Sequence, residues 1–365
     1  MIPRTKNIED RDIAQRRLQS QHIAQTPCTK PGDVVEWLGA AQAQDYLGAL
    51  WAIGLRMQEA TETEIEQAIA DKTIIRTWPM RGTLHFVPAA DVRWMLDLMT
   101  PRILAGSVRR FKQLELDDAQ LMRSEALFIQ ALQGGKQLSR PAMFALLEAA
   151  DISTAGQRGY HILWRLAQEG LLCLGTREGK QPTFALLDEW VPTARRLQRE
   201  EALAELVRRY FIGHGPATMH DFMWWSGLTA ADAFAGIGMV KSLLVQKTSD
   251  GRAYWMSGEQ QTVTRSSPSM YLLPGFDEYL LGYKDRTAVL GTGDSQRVNP
   301  GNNGMFSPTI VLDGRVVGTW KRVLKKDRVV VTAYPFATLS DTEDEAFTVA
   351  ASRYGKFLDL PATSS

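Results

Sequence analysis

Leu166-Ala167-Gln168-Glu169-Gly170-Leu171-Leu172 is the stretch on which the fold assignment turns. Ahead of it, residues 160–169 carry Ile162, Leu163, Leu166 and Ala167 at helical spacing, which gives one apolar face. Gly170 ends that helix, because a glycine takes a left-handed backbone without a Cβ penalty. Two short apolar runs, 171–174 and 183–187, then flank the turn Arg177-Glu178-Gly179-Lys180. A helix that runs straight into a hairpin reads as the recognition helix and wing of a winged helix.

The same order of elements extends outward. Residues 119–132 are amphipathic, and Ser139 with Pro141 opens a helix over 142–150. Upstream, helices are expected over 11–21, 34–41, 47–56 and 62–70, then strands over 73–79 and 83–87 around Met80-Arg81-Gly82. A connecting helix with several cations covers 91–111. Downstream, a charged helix starts at 192–205, Thr218 caps 219–226, Gly227 breaks the chain and Thr229 caps 230–237. Strands over 243–247 and 252–256 flank Ser249-Asp250-Gly251. The last hundred residues are richer in Val, Ile, Thr and Tyr, with strands expected over 271–281 and within 306–333. Asp313-Gly314 is a two-residue hairpin signal, and a final helix over 342–356 begins with acidic residues. The expected architecture is α+β. Three tandem winged-helix units cover 10–112, 113–191 and 192–258, and a small β-rich domain, a meander or partly closed barrel, covers 268–360.

Composition narrows the function classes. The 365 residues are 44% hydrophobic and 23% charged, an ordinary globular balance, with disorder expected only near residues 1–10 and 360–365. A net charge of +1 gives no global sign of nucleic-acid binding, so such a role must rest on local patches. Arg102, Arg109, Arg110 and Lys112 form one; residues 315–328, with six Lys or Arg and one Asp, form another. Cys28 and Cys173 lack metal spacing and suit a reducing cytoplasm. No secretory signal, membrane span, phosphate loop, nucleophile elbow or metal pattern is apparent, so neither metal nor organic cofactor is expected.

The candidate chemistry lies at Gln42-Ala43-Gln44, between two apolar helical runs. Residues two apart on an ideal helix point about 200° away from each other. Two amides converge there only if the backbone leaves the helix, and Asp45 as the cap of the next helix allows it. The bland alternative is that both glutamines satisfy helix ends or face solvent. In the first hairpin, alternation sets Arg81, Thr83 and His85 on one side, suited to a phosphate or a pocket or simply to solvent. Trp78 suits base stacking or core packing. Asn299, Asn302 and Asn303 sit in a polar loop long enough to reach a groove. Asp277 and Glu278, adjacent and expected in a strand, point to opposite faces and make a poor acid/base pair.

Four ordered motifs carry a resemblance that spans nearly the whole chain. They are Ala40-Ala41-Gln42-Ala43-Gln44-Asp45-Tyr46, the stretch Arg76-Thr77-Trp78-Pro79-Met80-Arg81-Gly82-Thr83-Leu84-His85-Phe86, Leu273-Pro274-Gly275-Phe276-Asp277-Glu278-Tyr279-Leu280-Leu281, and Pro308-Thr309-Ile310-Val311 through Gly318-Thr319-Trp320. Together they resemble the AlkZ-like winged-helix DNA glycosylases, in the branch with Gln-x-Gln rather than Gln-x-Asp. The resemblance implies a monofunctional glycosylase for alkylated, including bulky or crosslinked, purines in double-stranded DNA. It implies that Gln42 and Gln44 position water, and it favours Arg81, Thr83, His85, Lys321 and Arg322 as DNA-contacting or site-lining residues. A cytoplasmic monomer is expected. The competing classes are a non-catalytic tandem winged-helix regulator, which needs no Gln-x-Gln, and a protein-interaction module.

Overall fold

The computed structural model describes residues 9–258 and 268–365, so the expectation of disorder over residues 1–8 lies outside the described residues. The chain divides into two compact units, one formed by Glu66–Leu203 and the other by the segments Met1–Ile65 and Ala204–Ser365. The serial boundaries expected from sequence do not coincide with this division. The physical reason is edge pairing. Strand Ile74–Met80 of the first hairpin pairs with strand Leu172–Glu178 of the second through Arg76 and Leu174, so 112/113 falls inside one unit.

In the unit Glu66–Leu203, the stretch at 166–172 folds as read. Helix Arg158–Gln168 ends at Gly170 with φ 77°, and the chain turns into Leu172–Glu178, which pairs antiparallel with Gln181–Leu186. Leu138–Ser139 adds a short strand beyond it. The helices Asp118–Leu132, Arg140–Ala149 and Arg158–Gln168 share a core with these strands, built on Phe128, Leu147, Leu163 and Phe184. Trp78 is buried in that core rather than presented to a base. Gln168 ties it in place, donating Nε2 to the Trp78 carbonyl at 2.6 Å.

The other unit holds helices, a two-stranded hairpin and a five-stranded sheet. Helices Met219–Ser226 and Ala230–Val240 both begin with capping boxes, Thr218 with Asp221 and Thr229 with Asp232. Strands Leu244–Ser249 and Arg252–Ser257 follow, joined by Asp250-Gly251, both at positive φ. A five-stranded sheet runs in the order Ala362–Ser364, Val329–Pro335, Arg315–Leu324, Thr309–Leu312, Met270–Leu273. It is an antiparallel meander with one parallel strand added, and Asp313-Gly314 makes the expected tight turn.

Two expectations are corrected in this unit. Residues 360–365 are ordered: Val329 N–H donates to the Pro361 carbonyl at 2.9 Å and Ser365 N–H to Val331 at 3.0 Å. Parallel pairing with an interior strand supplies the hydrogen bonds that a frayed end lacks. The strand expected over 271–281 stops at Leu273. Pro274 and Phe276, the latter at φ 64°, turn the chain, and Asp277 caps the short helix Glu278–Leu281 by accepting Tyr279 N–H at 2.8 Å. The final helix Asp341–Phe357 packs on helix Tyr46–Gly54 and on the sheet. Trp51 meets Tyr354 edge-on at 5.1 Å and donates to the Leu272 carbonyl, while Trp320 meets Tyr354 from its own side, also at 5.1 Å. Gly54 is needed at this contact, since a Cβ there would lie 2.4 Å from Phe357. Helix Tyr46–Gly54 is therefore fixed in place, and its N-terminus carries the site. Among the described residues, no helix is long and apolar enough to cross a membrane.

Candidate active site

The helix ahead of the glutamines ends three residues earlier than its apolar run suggests. Pro31–Leu38 stops at Gly39, which takes φ 77° and ψ −43°, a conformation that a side chain disfavours. Ala41 and Gln42 are extended, and helix Tyr46–Gly54 begins after Asp45. Asp45 occupies the cap position, but its carboxylate makes no capping bond; only its carbonyl joins the helix, accepting Ala49 N–H at 2.8 Å. The 200° divergence of a continuous helix does not apply to an extended segment. Gln42 Nε2 donates to Gln44 Oε1 at 3.0 Å, so the two amides meet. Gln42 is 9% exposed and Gln44 is open to solvent. A buried amide thus orients an accessible one.

Charged groups distant in sequence hold this turn. Gln42 N–H donates to Glu278 Oε1 at 3.0 Å, and the other oxygen, Oε2, accepts Trp225 Nε1–H at 2.9 Å. His214 Nε2 lies 3.4 Å from that same Oε2. Asp277, one residue earlier, receives both terminal nitrogens of Arg56 at 2.8 Å. Arg56 places its remaining donors on Gln21 and on the Ala52 carbonyl, so all five of its N–H groups are engaged. Gln21 in turn donates to the Glu278 carbonyl and to Tyr283. Asp277 and Glu278 lie in the matched motif 273–281, where a strand would set them on opposite faces. The structure puts them at a helix start, with Glu278 against Gln42. Their burial beside Arg56 was the missing signal, and no local pattern reveals it.

The remaining candidates are placed unevenly. Arg81 lies in the hairpin turn, at φ 52°, and not on the strand, which begins at Thr83. The alternation that grouped it with Thr83 and His85 therefore does not apply to it. Thr83 is half-buried and bonds the Met80 carbonyl, while His85 is fully buried with Nδ1 2.9 Å from the Thr83 carbonyl. Lys321 and Arg322 are neighbours on strand Arg315–Leu324 and so face opposite sides of the sheet. Lys321 is exposed, its Nζ 5.3 Å from the Tyr334 ring. Arg322 turns to Tyr354 on the other face. Burial raises the Tyr354 pKa to about 12, with Asp45 and Glu62 adding to the rise and Arg322 opposing it. Of the other basic patch, Arg102, Arg109 and Lys112 are exposed, whereas Arg110 bonds Gln157. Asn299 is half-buried and Asn303 bonds the Met305 N–H; the Asn302 side chain lies outside the described residues. Among the described residues, no group of three or more His, Cys, Asp or Glu is arranged to hold a metal ion.

The chain as a whole, capped helices and hairpins with two meeting glutamines, is similar to known proteins. The family model "DNA glycosylase AlkZ-like" matches residues 35–357. The interstrand DNA cross-link repair glycosylase of Streptomyces sahachiroi is 28% identical over 345 residues, covering 89% of this chain and 90% of that protein. The solved structure of Streptomyces sahachiroi DNA glycosylase AlkZ superimposes with a TM-score of 0.79 at 25% identity, over 99% of this chain and all of that one. The chain belongs to the AlkZ-like DNA glycosylase family. It is a DNA glycosylase, a hydrolase acting on N-glycosyl bonds.

Proposed function

We propose that this glycosylase releases N3- and N7-alkylated purines from double-stranded DNA, bulky and crosslinked adducts included, with Gln42 and Gln44 holding the attacking water. The observation that carries the reading is the 3.0 Å bond from Gln42 Nε2 to Gln44 Oε1, on a turn whose second amide faces solvent. An alkylated purine already carries positive charge, so it departs without protonation and no general acid is required. The enzyme's task is to hold a water and to stabilise a sugar with oxocarbenium character. An amide is no base near neutral pH, yet its carbonyl accepts a hydrogen bond from water and turns a negative dipole to the developing cation, and the water gives up its proton to solvent as the bond to the sugar forms. Gln44 Oε1 accepts one bond from Gln42 and has a second lone pair for the water. Fixing that water against the anomeric carbon replaces a bimolecular encounter by an intramolecular one. No lysine enters the scheme, so strand cleavage does not accompany base release.

Crosslinked substrates are included because the similar Streptomyces sahachiroi protein is named for interstrand cross-link repair and is aligned over 90% of its length. We assign phosphate contacts to Arg81, Thr83, Lys321 and Arg322, a lining role to His85, and action as a monomer. The test is base release from a duplex with a site-specific N7-alkylguanine, with spontaneous depurination subtracted. Wild type releases the base, and Gln42→Ala/Gln44→Ala binds the duplex but does not release it. Equal release by both proteins would remove the glutamines from the mechanism.

A further inference from the structure

The buried carboxylate of Glu278 is not used by the scheme above, yet it touches the glutamine turn directly. It is 2% exposed, and hydrogen-bond donors face both its oxygens: the Gln42 backbone N–H bonds Oε1 and the Trp225 indole N–H bonds Oε2. Both are obligate donors. A carboxylate offers an acceptor to each. An amide would turn its NH2 toward one of them. The carboxylate itself is anchored. Its residue opens a helix capped by Asp277, Asp277 is clamped by Arg56, and the Glu278 carbonyl accepts Gln21 Nε2 at 3.3 Å. Its oxygens point to the turn and to the indole, so it does not itself serve as the base that receives the water proton.

We propose that Glu278 is a positioning residue for base excision, a buried carboxylate that fixes the Gln42 backbone through one oxygen and is itself oriented by Trp225 through the other. The inference rests on the Gln42–Gln44 reading above and names what aims that pair. Glu278 acts where the turn is not closed by its own cap: the Asp45 carboxylate makes no capping bond, and the preceding helix ends at Gly39. A displacement of the pair by about 1 Å is enough to lose about a hundred-fold in rate.

The test is single-turnover release of N7-alkylguanine, read beside duplex Kd and thermal melting, in the full chain. Glu278→Gln is expected to lower the rate constant about a hundred-fold while Kd stays within about two-fold. Adding Trp225→Phe removes the second donor. The oxygen of the introduced amide is then free to accept Gln42 N–H, its NH2 faces the His214 ring nitrogen that stands 3.4 Å from Oε2, and the rate recovers by at least about ten-fold. A merely structural role predicts no such recovery, because the second substitution only removes further packing. Gln44→Ala is run alongside. Loss in Gln44→Ala with full activity in Glu278→Gln overturns the positioning role alone, whereas full activity in Gln44→Ala overturns the glutamine reading on which it rests. A Glu278→Gln defect that Trp225→Phe leaves unchanged also overturns the proposal. Should the variants not fold, the Gln42 amide proton of the wild-type chain decides. A bond to a carboxylate shifts it downfield, and an ordinary shift contradicts the assignment.

Discussion

Two breaks between helices, at 39–45 and at 227–229, solve the same geometric problem in opposite ways. At the second, the caps close within a few residues. Gly227 takes the left-handed C-terminal conformation, Ser226 bonds the Phe222 carbonyl and accepts Leu228 N–H, and Thr229 closes a reciprocal box with Asp232. At the first, the cap side chain makes no bond to its helix, the two glutamines bond each other, and the backbone of Gln42 is held by a residue 236 positions away. The locally closed break is complete in itself. The other is held open by distant groups, which leaves an amide directed outward. Departure from local consistency is where a functional site is expected.

The comparison is broken most severely at Arg56, on which the distant support converges. Arg56→Met takes the guanidinium from the buried Asp277 carboxyl and loses every one of the five donor contacts. Removing one partner of a buried ion pair destabilises by about 3–5 kcal/mol. A lowered urea midpoint together with slowed excision is expected. A midpoint near wild type would mean that the open break stands without this clamp. Gln44→Ala comes next and separates the two breaks by function. Its side chain is exposed, so melting stays near wild type, while base release falls about 10²–10³-fold, as for loss of one preorganised dipole at a transition state. A fall in melting temperature matching the fall in rate would make Gln44 a structural residue.

The contrast also explains what sequence reading reached. The break at 227–229 was legible, with Thr218, Gly227 and Thr229 in their assigned roles, because capping chemistry is local. The Asp313-Gly314 turn and the helix–hairpin at 166–172 were legible for the same reason. The helix end at Leu38 was not: Ala40 and Ala41 favour helix, and what draws them out of it is not local. Nor was the grouping into two units, since the pairing of Arg76 with Leu174 joins strands nearly a hundred residues apart. Of the candidate site, the departure from helix that lets Gln42 and Gln44 meet was legible from their spacing and from Asp45. Its supports Glu278, Arg56 and Trp225 were not, because a buried carboxylate and a solvated one look alike in sequence. Lys321 and Arg322 were taken as one patch, although adjacent residues on a strand face opposite sides.

Thr229→Ala tests the locally closed break. It removes the oxygen that accepts Asp232 N–H at 3.1 Å and is expected to lower stability by about 1 kcal/mol. Excision is unchanged, because nothing at the glutamine turn depends on that cap. An unfolding curve that does not move would show that the break draws its stability from elsewhere. A loss of excision beyond the loss of stability would join the two breaks.

The smallest expected effect is a pH dependence centred on His22, beside the Arg56 cluster. Its ring stacks on Trp37 at 4.2 Å, and burial, reinforced by the Arg56 charge, lowers its pKa to about 4. In the unfolded chain the same imidazole titrates near 6.5. Between those values the unfolded chain binds more protons, so stability falls as pH drops from about 6.5 toward about 4 and levels off below. The contribution is wholly present above the window, where both states are neutral. Because the ring is partly exposed, water screens much of the effect. His22→Asn tolerates the backbone at φ 56° and carries no titrating group, so its urea midpoint should change less between pH 7 and pH 4 than that of wild type. Arg56→Met should flatten the same slope in part, since it removes the second cause and leaves the first. Identical slopes in wild type and His22→Asn would place the acid sensitivity elsewhere. An unaltered slope in Arg56→Met would show that the guanidinium, closed off by Asp277 and Gln21, exerts no field at His22.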